Sequence, residues 1–359
     1  MVLILFILFS GCFISYIVKQ RVFILTSTMA VVMALGILTQ GVLLHFLGIN
    51  FIKTAAAHLL LAFILALWLS FWVSILFAAI SGKWTMLHYS NPVNRFGMGT
   101  WVAASSISGI LISKHFPQLG LFTEILAYLN TAFWLFYILI SMQAFIVIFQ
   151  KKININVHGI LLLTTVSTQS LILLFHTVFE SVHFSFTIGL LAAGFSFYGI
   201  SLFLILKRYL GSAWSIEKDW NNTNCIIHGA LSITGMASIV SGIANERSLL
   251  VLWIATAMIF LIVEAIEIYR LSRLVRRFGW RDGAGVYDVS QWSRIFTFAM
   301  FYTFTASIPA ANGMIASIQV IVGQIGIGVI LALVIIELTL ALQNFIPSND
   351  YEEPLRKSS

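Results

Sequence analysis

The stretch Asp288–Pro309, DVSQWSRIFTFAMFYTFTASIP, decides how the rest of the chain is read. It is long enough to cross a bilayer, yet it carries an arginine, six serine and threonine hydroxyls and four phenylalanines. A helix of that composition does not simply face lipid. A charge at mid-membrane costs on the order of 3 kcal/mol on insertion scales, so Arg294 belongs near an interface, beside a partner or beside water. Phe296, Phe298 and Phe301 bring the opposite property, apolar bulk that closes a narrow water path. The stretch is therefore expected to gate a pore whose wall the other segments build.

Outward from it, the 359 residues are 60% hydrophobic and only 9% charged, too little polar surface to cover a soluble globule of this size. The apolar blocks recur from end to end with short connections, which excludes a separate soluble domain and predicts one integral membrane domain. The first block, near Val2–Val18, has no basic leader and no small-residue cleavage site, so it is expected to be a retained span. Cys12 and Cys225 both lie in apolar blocks and suggest neither a disulfide framework nor a metal site.

With about 20 residues per crossing, apolar segments fall near 2–18, 22–48, 54–80, 96–113, 119–149, 157–178, 185–206, 223–244, 249–270, 290–311 and 317–345. Eleven spans are expected. The basic residues between them alternate: one side holds sixteen of the twenty lysines and arginines, including five arginines from Arg270 to Arg281, and the other holds three. By the positive-inside rule the heavier side is cytoplasmic, with the N-terminus outside and the C-terminus inside, in the cell membrane. Most of the net charge of +7 is thus a topology signal and not a nucleic-acid footprint. The organisation expected is an extra N-terminal span at 1–21, a ten-helix domain at 22–346 and a cytoplasmic tail at 347–359.

Setting the first span aside, the other ten alternate in character. GILTQG (Gly36–Gly41), GMGTWVAASSISG (Gly97–Gly109), TTVSTQS (Thr164–Ser170), GALSITGMASIVSG (Gly229–Gly242) and the Arg294 stretch are rich in small and hydroxyl residues. The spans between them, such as Leu59–Phe77 and Thr131–Ile140, are bulky and greasy. Small residues by themselves only let helices pack closely. Strict alternation instead describes five hairpins, each with a polar inner and a greasy outer helix, and five inner helices around an axis make a pore.

Four of these segments resemble a known family, the tellurite-resistance and C4-dicarboxylate transporters, which includes the plant guard-cell slow anion channels. AVVMALGI (Ala30–Ile37) is similar to the family's A-x-V-M-A-T-G-I. HGILLLTTVSTQS (His158–Ser170) resembles N-G-T-W followed by V-x-T-Q-S, and NTNCIIHGALSI (Asn222–Ile233) resembles G-T-Y-W-x-x-M-G-A-x-A-I. YDVSQWSRIFTFAMF (Tyr287–Phe301) looks like Y-D-P-x-x-W-G-M-V-F-P-L-G-M-Y, with Thr297 in place of the family's proline and Ala299 in place of its glycine. The resemblance implies ten helices in quasi-fivefold hairpin symmetry, a homotrimer, an anion path through each protomer and a phenylalanine gate that falls on Phe296.

Ten residues are candidates for the site. Phe296 is the expected gate; Phe298, Phe301, Arg294, Thr297, Thr168, Gln169, Ser232, His158 and His228 are candidates for the lining or mouth. Arg294 either draws anions to the inner mouth or pairs with Glu264, Glu267 or Glu337, and pairing is the preferred reading. The eight histidines show no ligand spacing, so no metal and no cofactor is expected. No nucleophile–base order, phosphate-cradling loop or paired catalytic carboxylates stand out, and an enzyme is not expected. The function expected is a channel or uniporter for small inorganic anions, the alternative being a carrier for C4-dicarboxylates, with or without proton coupling. Its surroundings are the lipid bilayer, with no nucleic-acid partner.

Overall fold

A computed structural model describes residues 1–151, 157–211, 214–309 and 313–345. Lys152 and the tail at 347–359, with Arg356 and Lys357, lie outside the described residues. Eleven helices follow one another among those described: α1 (Val2–Gln20), α2 (Ala30–Leu47), α3 (Ala55–Ile80), α4 (Asn94–His115), α5 (Pro117–Gln150), α6 (Gly159–Val178), α7 (Phe184–Gly211), α8 (Asn222–Val240), α9 (Glu246–Gly283), α10 (Gln291–Ser307) and α11 (Ile315–Asn344). No strand occurs among the described residues. Ten of the helices are long and apolar enough to cross a membrane, and the chain is a multi-pass membrane protein. The exception is α10, whose 17 residues cover about 25 Å, short of a ≈ 30 Å hydrocarbon core. Eleven full spans were expected; ten are found, together with this shorter helix.

Burial separates the helices as their composition does. Along α2, α4, α6 and α8, 72% to 89% of the apolar stretch is buried, against 22% to 44% along α3, α5, α7, α9 and α11. α10 has the same buried character, with Ile295, Phe296, Thr297, Ala299 and Met300 all enclosed. Contacts run from α2 to α4, α4 to α6, α6 to α8, α8 to α10, and from α10 back to α2, which closes a circuit. Each odd helix from α5 to α11 packs against the even helix just before it in the chain, and α1 lies along α3. α1 is the most exposed of all, with only Ser10 and Ile17 buried.

Small residues set the spacing inside the circuit. A Cβ at Gly229 of α8 would collide with the Thr297 side chain of α10, one at Gly41 of α2 would meet Thr303, and one at Gly159 would run into the Thr223 backbone. Three even helices open alike, through a 3-10 turn: Asn94–Met98, Gly159–Leu162 and Asn222–Cys225. His158 and Asn221 cap the last two, accepting from the backbone N–H groups of Ile160 (3.4 Å) and Thr223 (3.0 Å), donors that the first turn leaves without helical partners.

Two boundaries differ from the apolar pattern. Residues 22–29 are greasy but do not join α2, because they turn beneath α4: the Thr26 carbonyl accepts from the Trp101 indole (2.7 Å) and the Thr100 hydroxyl (3.3 Å). In the other direction, α9 stays helical past the expected end at 270 as far as Phe278, before the kink at Gly279, since arginines on an exposed helical face cost nothing outside the bilayer. α2 also carries a widened, π-type stretch at Leu38–Leu43.

Candidate functional site

At about 100° per residue, Arg294 and Phe298 are both some 200° from Phe296 around α10, so the helix presents two faces. The packing follows that geometry. Phe296 and Met300 turn toward the centre of the even-helix circuit, while Arg294, Phe298 and Phe301 turn toward α9 and α11.

The inward face closes on a cavity of ≈ 30 Å³, room for one or two waters. All five even helices line it: Met33 and Ile37 from α2, Ala103, Ser106, Ile107 and Ile110 from α4, Ser170 and Leu173 from α6, Ile233 from α8, and Phe296 and Met300 from α10. Its two hydroxyls are committed elsewhere. Ser170 donates to the Ser167 carbonyl (2.8 Å), so Ser106 donates to Ser170 (3.0 Å) while accepting from the Asn130 amide (2.9 Å). The lining is accordingly apolar, and an anion entering it would lose its hydration without gaining a charged partner.

The outward face carries the charge. The Arg294 guanidinium lies 3.2 Å from Glu267 and 3.6 Å from Glu264, both on α9. Glu264 also stands 3.6 Å from the buried His228 of α8, and Glu267 holds Arg270 at 3.0 Å. Arg270 donates to Asn222 (2.7 Å), whose amide donates to Asp288 (3.2 Å) and Ser290 (2.9 Å). A continuous polar layer thus runs from inside α8 to the start of α10. Of the three acids expected to serve Arg294, Glu264 and Glu267 do so, whereas Glu337 forms no ion pair among the described residues. Placing Arg294 at the inner mouth does not match this geometry, because its charge is spent between helices. Phe298 and Phe301 also leave the central path: both pack on Phe260 of α9, with ring centroids 4.8 Å away.

The remaining candidates spread around the bundle. Thr297 is buried against Gly229 and donates to the Arg294 carbonyl (3.0 Å). Thr168 turns to α5, accepting from the Trp134 indole (3.0 Å). Gln169 is pressed against Gly194 of α7, and neither amide atom finds a hydrogen-bond partner among the described residues. Ser232 donates back to the His228 carbonyl (3.0 Å). His158, just ahead of α6, sits 2.6 Å from Thr223, and burial with the nearby Arg208 guanidinium holds its pKa down to about 3. Only Phe296 of the ten lines the central cavity. The lining that was missed consists mostly of Met33, Ile37, Ile107, Ile233 and Met300, ordinary core residues by type; Ser106 and Ser170 did lie in the hydroxyl-rich runs.

The chain matches no family model and no curated protein. The family resemblance rests on the four quoted motifs alone.

Proposed function

We propose that the chain is an anion channel or uniporter, a distant member of the tellurite-resistance and C4-dicarboxylate transporter family. In this reading its five even helices surround a pore as quasi-fivefold hairpins, with the basic side in the cytoplasm of the cell membrane. The observation that carries the reading is the apolar cavity at the meeting point of α2, α4, α6, α8 and α10, with the Phe296 ring in its wall. Stripping an ion of water there faces an idealised Born barrier of roughly 20 kcal/mol, so one ring suffices to shut the path. The closed circuit of contacts supports a pore axis in the same place. Consecutive crossings also make the five even helices parallel, which turns five positive helix ends toward the basic side, where they favour anions. With no fixed charge along the cavity, anions bind weakly and leave fast. A homotrimer and the absence of enzymatic chemistry belong to this proposal through the motif resemblance.

The test is anion flux from liposomes holding the purified protein, with chloride and malate compared under a set voltage and pH gradient. Phe296→Ala is expected to raise basal chloride flux several-fold, while Phe298→Ala and Phe301→Ala, on the other face of α10, leave it near the parent value. Malate flux that requires a pH gradient would replace the channel with the dicarboxylate carrier. A silent Phe296→Ala beside an active Phe298→Ala or Phe301→Ala would move the path to the α9 side of α10.

A further inference from the structure

The arginine-rich end of α9 is used only in part by the rest of the fold. Leu249 to Tyr269 is enough helix to cross the hydrocarbon core, and the helix then continues nine residues, about 13 Å, to Phe278. At Gly279 the backbone takes φ 79° and ψ 173°, a conformation that favours glycine, and the chain reverses. Gly283 comes back to lie against Leu274, so closely that a Cβ there would be 2.7 Å from the Leu274 carbonyl oxygen. The turn therefore holds its side chains within about 13 Å of the membrane, near one Debye length at 0.1 M salt.

Four arginines occupy this tip, and one acid from outside it meets two of them: Glu217 is 2.6 Å from Arg273 and 3.7 Å from Arg277. Arg276 and Arg281 are exposed and make no ion pair among the described residues, and Asp282 is the sole acid between 268 and 287. Between them the two largest apolar side chains face outward, Trp280 at 75% exposure and Phe278 at 50%. A topology signal needs only the positive charge; it does not need an exposed indole set among arginines at a turn folded back toward the bilayer.

We propose that this tip is a docking surface for the headgroups of anionic phospholipids in the leaflet from which α9 emerges. The arginines take the phosphates and the Trp280 ring seats at the headgroup level. The inference rests on the membrane crossing of α9 and not on anion transport.

The experiment places a bimane label, an aromatic stand-in for the indole, at Trp280→Cys in a Cys12→Ser background. The labelled full chain is reconstituted in phosphatidylcholine vesicles with and without 30% phosphatidylglycerol, each containing a lipid with a headgroup nitroxide. Quenching is expected to be several-fold stronger in the anionic vesicles. Adding Arg276→Gln and Arg281→Gln should return it to the neutral-vesicle level. Salt at 1 M, where the Debye length is about 3 Å, should do the same without these arginine substitutions. Equal quenching in both vesicles, no quenching in either, or anionic quenching indifferent to salt would overturn the proposal.

Discussion

The cavity among the even helices and the polar layer between α8, α9 and α10 share two helices, α8 and α10, and are opposite in character. One is apolar and has its few hydroxyls committed to neighbours; the other concentrates Glu264, Glu267, Arg294 and Arg270 in a run of ion pairs. In a membrane protein rich in hydroxyls, a buried charge invites a place on the path. Here the charges fasten the inner helices to an outer one, and the centre is left without them. In the proposed channel, selectivity would come from dehydration and helix ends more than from fixed cations.

The largest expected effect breaks the layer and spares the cavity. Arg294→Gln leaves Glu267 with Arg270 and Glu264 with His228 alone, and uncovering a buried pair in this way costs about 3 to 5 kcal/mol. Thermal unfolding in detergent should show a large loss, partly restored by adding Glu267→Gln. A parent-like melting temperature for Arg294→Gln would mean that the layer does not hold the bundle together.

Acid gives the next effect and separates the layer from the helix entrances. His88, buried beside Trp101, is pushed down to about 4 by burial, and His158 to about 3. Both are lowered from 6.5, so the unfolded chain binds the extra protons and stability falls as the pH drops from about 6.5 toward 4. The slope is at most about 1.4 kcal/mol per pH unit for each histidine. His88→Gln with His158→Gln should flatten it. A slope that survives both substitutions would show that these two histidines do not carry the acid sensitivity.

The smallest effect concerns an amide in neither region. Gln169 is fully buried between α6 and α7, and neither amide atom has a partner among the described residues, a burden of about 1 to 3 kcal/mol in an apolar setting. Gln169→Met keeps the length of the side chain and should leave the melting temperature equal or slightly higher. A clear loss would show that the amide holds a buried water or ligand, which would extend the polar region beyond α9.

The division into buried even and exposed odd helices was legible because hydroxyl-rich and greasy spans alternate without a break, and bilayer depth fixes their length. The pairing of Arg294 with Glu264 and Glu267 was legible too, since an arginine inside an apolar helix needs an acid on a neighbouring helix. What the residues did not disclose is direction within a uniformly buried helix. Thr168 and Gln169 look like pore polar groups but face α5 and α7, because every side of α6 is covered and periodicity has no exposed face to set against a hidden one. The cavity lining was hidden for a related reason: isoleucine and methionine serve equally in a core and in a dry neck. The extension of α9 past 270 to Phe278 escaped because span reading follows apolar runs, and an arginine-rich helix continues past them.

The contact between α2 and α10 has a consequence for how the protein is made. Gly41 and Thr303, which meet there, stand 262 positions apart, so the two helices that close the circuit are synthesised at opposite ends of the domain. At 5–20 residues per second, α2 waits roughly 13 to 52 s for its last partner in the circuit. During that interval its Thr303-facing side, with Gly41 at its centre, has only lipid or an insertion factor beside it. Chains stalled or truncated before α10 would hold an open arc of four even helices, and that arc is the species expected to misassemble or to be recognised for degradation.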